Sequence, residues 1–126
     1  MKLALPRKPV HVGVVSAIGA LGYVLVHLAN VGSIGAFVTA GSTYSDPSQM
    51  PRHIPVLKGN GYDGQFFYRL ATAPLKLGTA MVHGIRFDNV FRAGRIGYPL
   101  LAWLLSAGQA GAVPFALVAA NVIGVG

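Results

Sequence analysis

The sequence predicts an all-α membrane protein: one N-terminal transmembrane helix, an outer loop with a short interfacial amphipathic helix, and a second apolar region of one or two helices. Three observations predict it. Of 126 residues, 53% are hydrophobic and only 10% are charged, with a mean hydropathy of +0.57, whereas a soluble domain spends about a quarter of its residues on charge. No charged residue lies between Lys8 and Asp46, and none follows Arg95. Ten Lys and Arg against three Asp and Glu give +7. On so apolar a chain the complementary polyanion is a membrane surface or a lipid-linked phosphate, not nucleic acid. The lack of Cys excludes disulfides, thiolate metal sites and cysteine nucleophiles.

Residues 1–11 are a basic flank carrying Lys2, Arg7 and Lys8, and residues 12–40 hold the first membrane helix. About 20 helical residues cross a hydrocarbon core of roughly 30 Å, so Val12 to Val31 suffices, with an extension toward Ala40. Ser16, Ala17, Gly19, Ala20 and Gly22 either form a face for a neighbouring helix or reflect how common glycine is in such helices. A signal peptide ending at Val38-Thr39-Ala40 competes with this reading, but its apolar region would be about twice the usual length, which favours an uncleaved anchor. His11, and His27 with Asn30 in a polar strip, fit helix packing better than metal ligation. The basic flank puts the N-terminus in the cytoplasm and the segment after Ala40 outside, although that segment holds seven basic residues against three acidic ones.

Residues 41–95 form the non-cytoplasmic loop. Pro47, Pro51 and Pro55 with Ser42, Ser45 and Ser48 make an irregular lead-in. After an Asn60-Gly61 turn, a helix is expected over about 63–73, opened at Asp63 and ended by Pro74. Its Phe66, Phe67, Leu70 and Ala71 share one face, which suits the membrane interface. Asp63 has two readings, an N-cap and a carboxylate just above the outer leaflet that acts as a general base or holds a divalent metal. No second acid follows within twenty residues, so a locally paired carboxylate site is not expected. His83, Arg86 and Asp88 read as a solvated, salt-bridged turn or as groups that contact a phosphate or orient Asp63. Arg92 and Arg95 border the next apolar region, where they snorkel to headgroups or grip a lipid phosphate.

Residues 96–126 are the second apolar helical region. Gly108, Gly111 and Pro114 break it into Tyr98 to Ala107, with Pro99 suited to a first helical turn, and Val113 to Gly126. Both pieces are short for a membrane span, and the last ends without a polar or aromatic flank. The chain therefore reads as the truncated front part of a longer polytopic protein.

Gly61-Tyr62-Asp63-Gly64-Gln65-Phe66-Phe67-Tyr68-Arg69-Leu70-Ala71, then Gly84-Ile85-Arg86-Phe87-Asp88 and Arg95-Ile96-Gly97-Tyr98-Pro99-Leu100-Leu101-Ala102-Trp103, resemble the opening of a group of bacterial, largely actinobacterial, polytopic membrane proteins. These are similar in layout to the C-type glycosyltransferases that use polyprenyl-phosphate sugars. The resemblance covers roughly residues 59–126 and implies further transmembrane helices and a catalytic acid at the place of Asp63. Many members carry a second acid beside the first, where this chain has Gly64 and Gln65, a departure that weighs against a metal; a divalent cation is the one cofactor in question. Two functions follow. The first is a fragment or short member of a glycosyltransferase-like family acting on lipid-linked sugars, with Asp63 as the base and Arg69, Arg86 and Arg95 on the donor phosphate. Tyr62, Gln65, His83 and Asp88 would complete the substrate site. The second is a noncatalytic subunit packing against a larger membrane partner. Either way the expected location is the cell membrane, multi-pass.

Overall fold

The computed structural model describes residues 9–126, so the basic flank with Lys2, Arg7 and Lys8 lies outside the described residues. Helix α1 (Pro9–Val31) has 23 residues and is long and apolar enough to cross a membrane; it rises about 34 Å. None of its residues is buried against the rest of the protein. Gly32, at φ 70°, stops it, and the Gly32 N–H donates to the Leu28 carbonyl at 2.8 Å, a left-handed helix end that glycine adopts without strain. The extension toward Ala40 is therefore corrected. Ser33 accepts from the Gly35 N–H and caps a 3-10 turn over Ile34–Phe37, and the chain then enters strand β1 (Ala40–Gly41).

Strand β1 pairs in parallel with β2 (Val56–Leu57), with Ala40 opposite Val56 and Gly41 opposite Leu57. The protein is mostly helical, but this small sheet corrects the all-α expectation. Between the strands the chain turns on Pro47–Gln49, capped by the Asp46 carboxylate, which accepts from the Ser48 N–H at 3.0 Å.

Helix α2 (Gly64–Thr72) follows Asp63 and stops short of Pro74, as the spacing predicts. Its setting differs from an interfacial helix. Seven of its nine residues are buried, and Phe66, Leu70 and Ala71 join Val38, Ile54, Ile85 and Phe87 in the core of the loop region. The segments on either side in sequence wrap the helix, so its aromatic face meets protein.

Helices α3 (Gly97–Ser106) and α4 (Val113–Gly124) are separated by a turn in which Ala107 and Gly108 both have positive φ. The Tyr98 hydroxyl, at the start of α3, donates to the Leu117 carbonyl at 2.7 Å and accepts from the Asn121 amide at 2.8 Å on α4. The two helices thus fold back on each other as a hairpin, each about 15–18 Å long. The break at Gly108 to Pro114 stands where the sequence put it. Helix α1 runs past the end of α4, where the Gly126 carbonyl leaves no room for a Cβ on Gly13.

Candidate functional site

The segment Tyr62-Asp63-Gly64-Gln65-Phe66 divides into an inward and an outward half. Gln65 is fully buried; its Oε1 accepts from the Gly41 N–H at 3.0 Å and its Nε2 donates to the Asn60 carbonyl at 2.6 Å. It braces β1 against the Asn60-Gly61 turn. Gly64 packs against the carbonyls of Phe37 and Val38, each 2.8 Å from where a Cβ would sit. Phe66 meets the rings of Tyr44 and Phe87 at 5.6 and 6.1 Å. One turn further along, Arg69 is fully buried. Its Nε donates to the Ile85 carbonyl, its Nη1 to Lys76, and its Nη2 to Gly78 and Ala80, at 2.7–3.1 Å. The same guanidinium lies 3.8 Å over the Phe87 ring, and burial lowers its pKa. Two residues expected on substrate, Gln65 and Arg69, are thus spent on the fold.

Tyr62 and Asp63 point outward, Tyr62 being 69% exposed. Asp63 stands at the N-cap position of α2, yet its side chain makes no capping hydrogen bond. The carboxylate instead accepts from Arg92 Nη1 at 2.7 Å and Arg95 Nη1 at 3.5 Å. Arg92 also grips Asp88 with Nε and Nη2, both at 3.0 Å, and its guanidinium sits 4.4 Å over the Phe66 ring. One planar cation therefore holds two carboxylates on separate edges, resting on an aromatic platform supplied by α2. The hydrogen bond from Arg92 holds the Asp88 carboxyl below the usual carboxylate range, and Asp88 in turn raises Arg92.

The tertiary fold thus brings Asp63 a second acid, Asp88, twenty-five residues away. Arg92, expected to snorkel to headgroups or grip a lipid phosphate, is the centre of the cluster. The Asp88 and Arg92 spacing of i, i+4 was the local signal for half of it; the link to Asp63 had none.

Of the expected grouping of His83, Arg86 and Asp88, the last two line one recess and His83 does not join them. His83 and Gly84 form a two-residue turn at φ 47° and 81°, closed by Val82 and Ile85 bonding each other at 2.9 and 3.0 Å, the geometry of a tight hairpin. The exposed His83 ring makes no hydrogen bond among the described residues. Arg86 donates to the Thr43 carbonyl at 3.1 Å and, with Tyr44, Thr79 and Asp88, lines a polar recess of about 430 Å³. Among the described residues no three His, Asp or Glu side chains gather as a metal site, and the cation between Asp63 and Asp88 is Arg92 itself.

An apolar crevice begins at Gly64, the residue after Asp63. Two cavities of about 350 and 340 Å³ share Phe37, Val118 and Asn121; Gly64 lines one, and Ala20 and Val24 of α1 line the other. Comparison with family models, curated proteins and solved structures finds no match to this chain.

Proposed function

We propose that this chain is an integral membrane protein that acts on lipid-linked sugar phosphates as a glycosyltransferase-like enzyme, with Asp63 as its base. The observation that carries the reading is the outward Asp63 carboxylate between Arg92 and Arg95, the latter two residues ahead of the apolar helix α3, with the residue after Asp63, Gly64, lining the crevice. An acceptor hydroxyl attacks the anomeric carbon of the donor sugar. Its proton passes to Asp63, the new carbon–oxygen bond forms, and the old one breaks with its electron pair going to the departing lipid phosphate. Arg95 is 67% exposed and holds Asp63 only at 3.5 Å, so it can turn to the phosphate while Arg92 keeps Asp63 in place. Asp63→Asn keeps the shape and removes the base. Transfer from a radiolabelled polyprenyl-phosphate sugar in membranes is expected to fall by about 10²–10⁴-fold, and unchanged transfer would remove Asp63 from the mechanism.

The orientation that goes with this reading keeps the basic flank in the cytoplasm and the Asp63 cluster outside. A reporter fused after Tyr44 is expected to be active only outside the cytoplasmic membrane, and cytoplasmic activity would invert the topology. A second reading, a noncatalytic subunit packed on a larger membrane partner, is favoured by α1, which buries none of its 23 residues. Full transfer activity by the purified chain alone would dispose of that second reading.

A further inference from the structure

The loop between α2 and Val82 presents apolar side chains outward: Leu75 is 92% exposed, Leu77 45% and Met81 41%. Its backbone is turned the other way. From beneath, Arg69 donates to the carbonyls of Lys76, Gly78 and Ala80 at 2.7–2.9 Å, and the Lys76 N–H donates to the Ala73 carbonyl at 3.1 Å. In water such carbonyls are solvated without help. Against the acyl boundary, where water thins out, such carbonyls need partners from within the protein, and here three alternate carbonyls are satisfied by one buried guanidinium. The loop also continues an apolar surface. Leu75 and Lys76 share a recess of about 420 Å³ with Leu100 and Trp103 of α3, and Leu101 and Leu104 extend it along that helix as exposed side chains. Lys76 places a cation, and Trp103 an amphipathic ring, at this edge, the pairing that anionic lipid interfaces favour.

We propose that residues 74–81 form a membrane-docking loop, in which Leu75 and Leu77 enter the headgroup–acyl boundary of an anionic bilayer beside α3 while Lys76 pairs with lipid phosphates. Arg69 is its organiser, because it withdraws the loop carbonyls that lipid could not solvate. This rests on the membrane reading of the chain, and its test separates the two.

The protein has no Cys, so one introduced thiol reports one position. Leu75→Cys, Arg52→Cys and Leu25→Cys are placed singly in the full chain and reconstituted in vesicles of phosphatidylcholine and phosphatidylglycerol. Arg52 is an exposed polar position and Leu25 lies on α1. Leu75→Cys is expected to react with a membrane-impermeant maleimide at least about ten-fold more slowly than Arg52→Cys. A fluorophore on it should be quenched by nitroxide-labelled lipid. Protection should weaken in phosphatidylcholine alone and with Lys76→Glu. Equal reactivity of Leu75→Cys and Arg52→Cys, with Leu25→Cys still protected, would overturn the docking loop and leave the membrane reading intact. Rapid reaction at Leu25→Cys as well would overturn both. Protection without lipid quenching would mean that protein, not bilayer, covers the loop, and protection indifferent to phosphatidylglycerol and to Lys76→Glu would overturn the anionic pairing; either result refutes the proposal as stated.

Discussion

Arg69→Met is expected to destabilise the folded loop region by about 3–5 kcal/mol, because three carbonyls each lose a charge-assisted hydrogen bond worth more than about 1 kcal/mol. The methionine fills much of the same space but leaves the carbonyls of Lys76, Gly78 and Ala80 without their donor and removes the cation from the Phe87 face. The Ile85 carbonyl keeps a partner in the Val82 N–H, so the damage concentrates at 76–80. Arg69→Lys should fall between the two proteins, because an ammonium has three donors, none in a planar fork, and reaches fewer carbonyls. Denaturant midpoints in detergent, with limited proteolysis at the loop, measure both effects. A midpoint unmoved by Arg69→Met would show that the carbonyls do not depend on this side chain.

Gly41→Val is expected to cost about 4 kcal/mol or more, among the larger effects of any single substitution. A Cβ on Gly41 would drive into the backbone of Gly59, Asn60 and Gly61, and one on Gly61 would strike Ala40 and Gly41 in return. Backbone cannot swing aside as a side-chain tip can, so relief requires separating two chain segments. The Gly41 N–H to Gln65, Ser42 N–H to Leu57 and Thr43 N–H to Gly59 bonds hold those segments together, and they would be lost with the separation. Gly111→Ala is the control: a Cβ there meets nothing within 4 Å, and a change within about 0.5 kcal/mol is expected. Matching thermal melts for the two variants would show that the crossing is looser than its packing implies.

Local signals placed most of the elements. The apolar run, the Asp63 start, the Pro74 stop and the Gly108 to Pro114 break all rest on interactions within a few residues, which the order of residues carries directly. The end of α1 at Val31 agrees with the sequence reading, and only the extension toward Ala40 fails, because the positive φ of Gly32 closes the helix. The spacing places helix α2 close to its observed bounds, but protein rather than a membrane interface surrounds it. Gln65, Arg69 and Thr72, at i, i+4 and i+7, look like a solvent-facing strip, yet all are buried because each bonds backbone: Gln65 bonds Gly41 and Asn60, Arg69 bonds loop carbonyls, and Thr72 donates to the Arg69 carbonyl. A polar side chain facing water and one satisfied by a wrapping loop have the same spacing in sequence.

The candidate site follows the same division. Asp63 stood out in the sequence because it begins a helix beside a turn, and the structure leaves its carboxylate uncommitted to capping. Its partnership with Arg92 and, through that guanidinium, with Asp88 spans 29 and 25 residues of chain, and no periodicity reports such distances. By itself the sequence determined where apolar length, helix boundaries and charge would lie, since these depend on neighbours along the chain. Only the tertiary structure decided which arginine serves the fold and which serves the exposed cluster, because that depends on what each guanidinium meets once the loops have closed around α2.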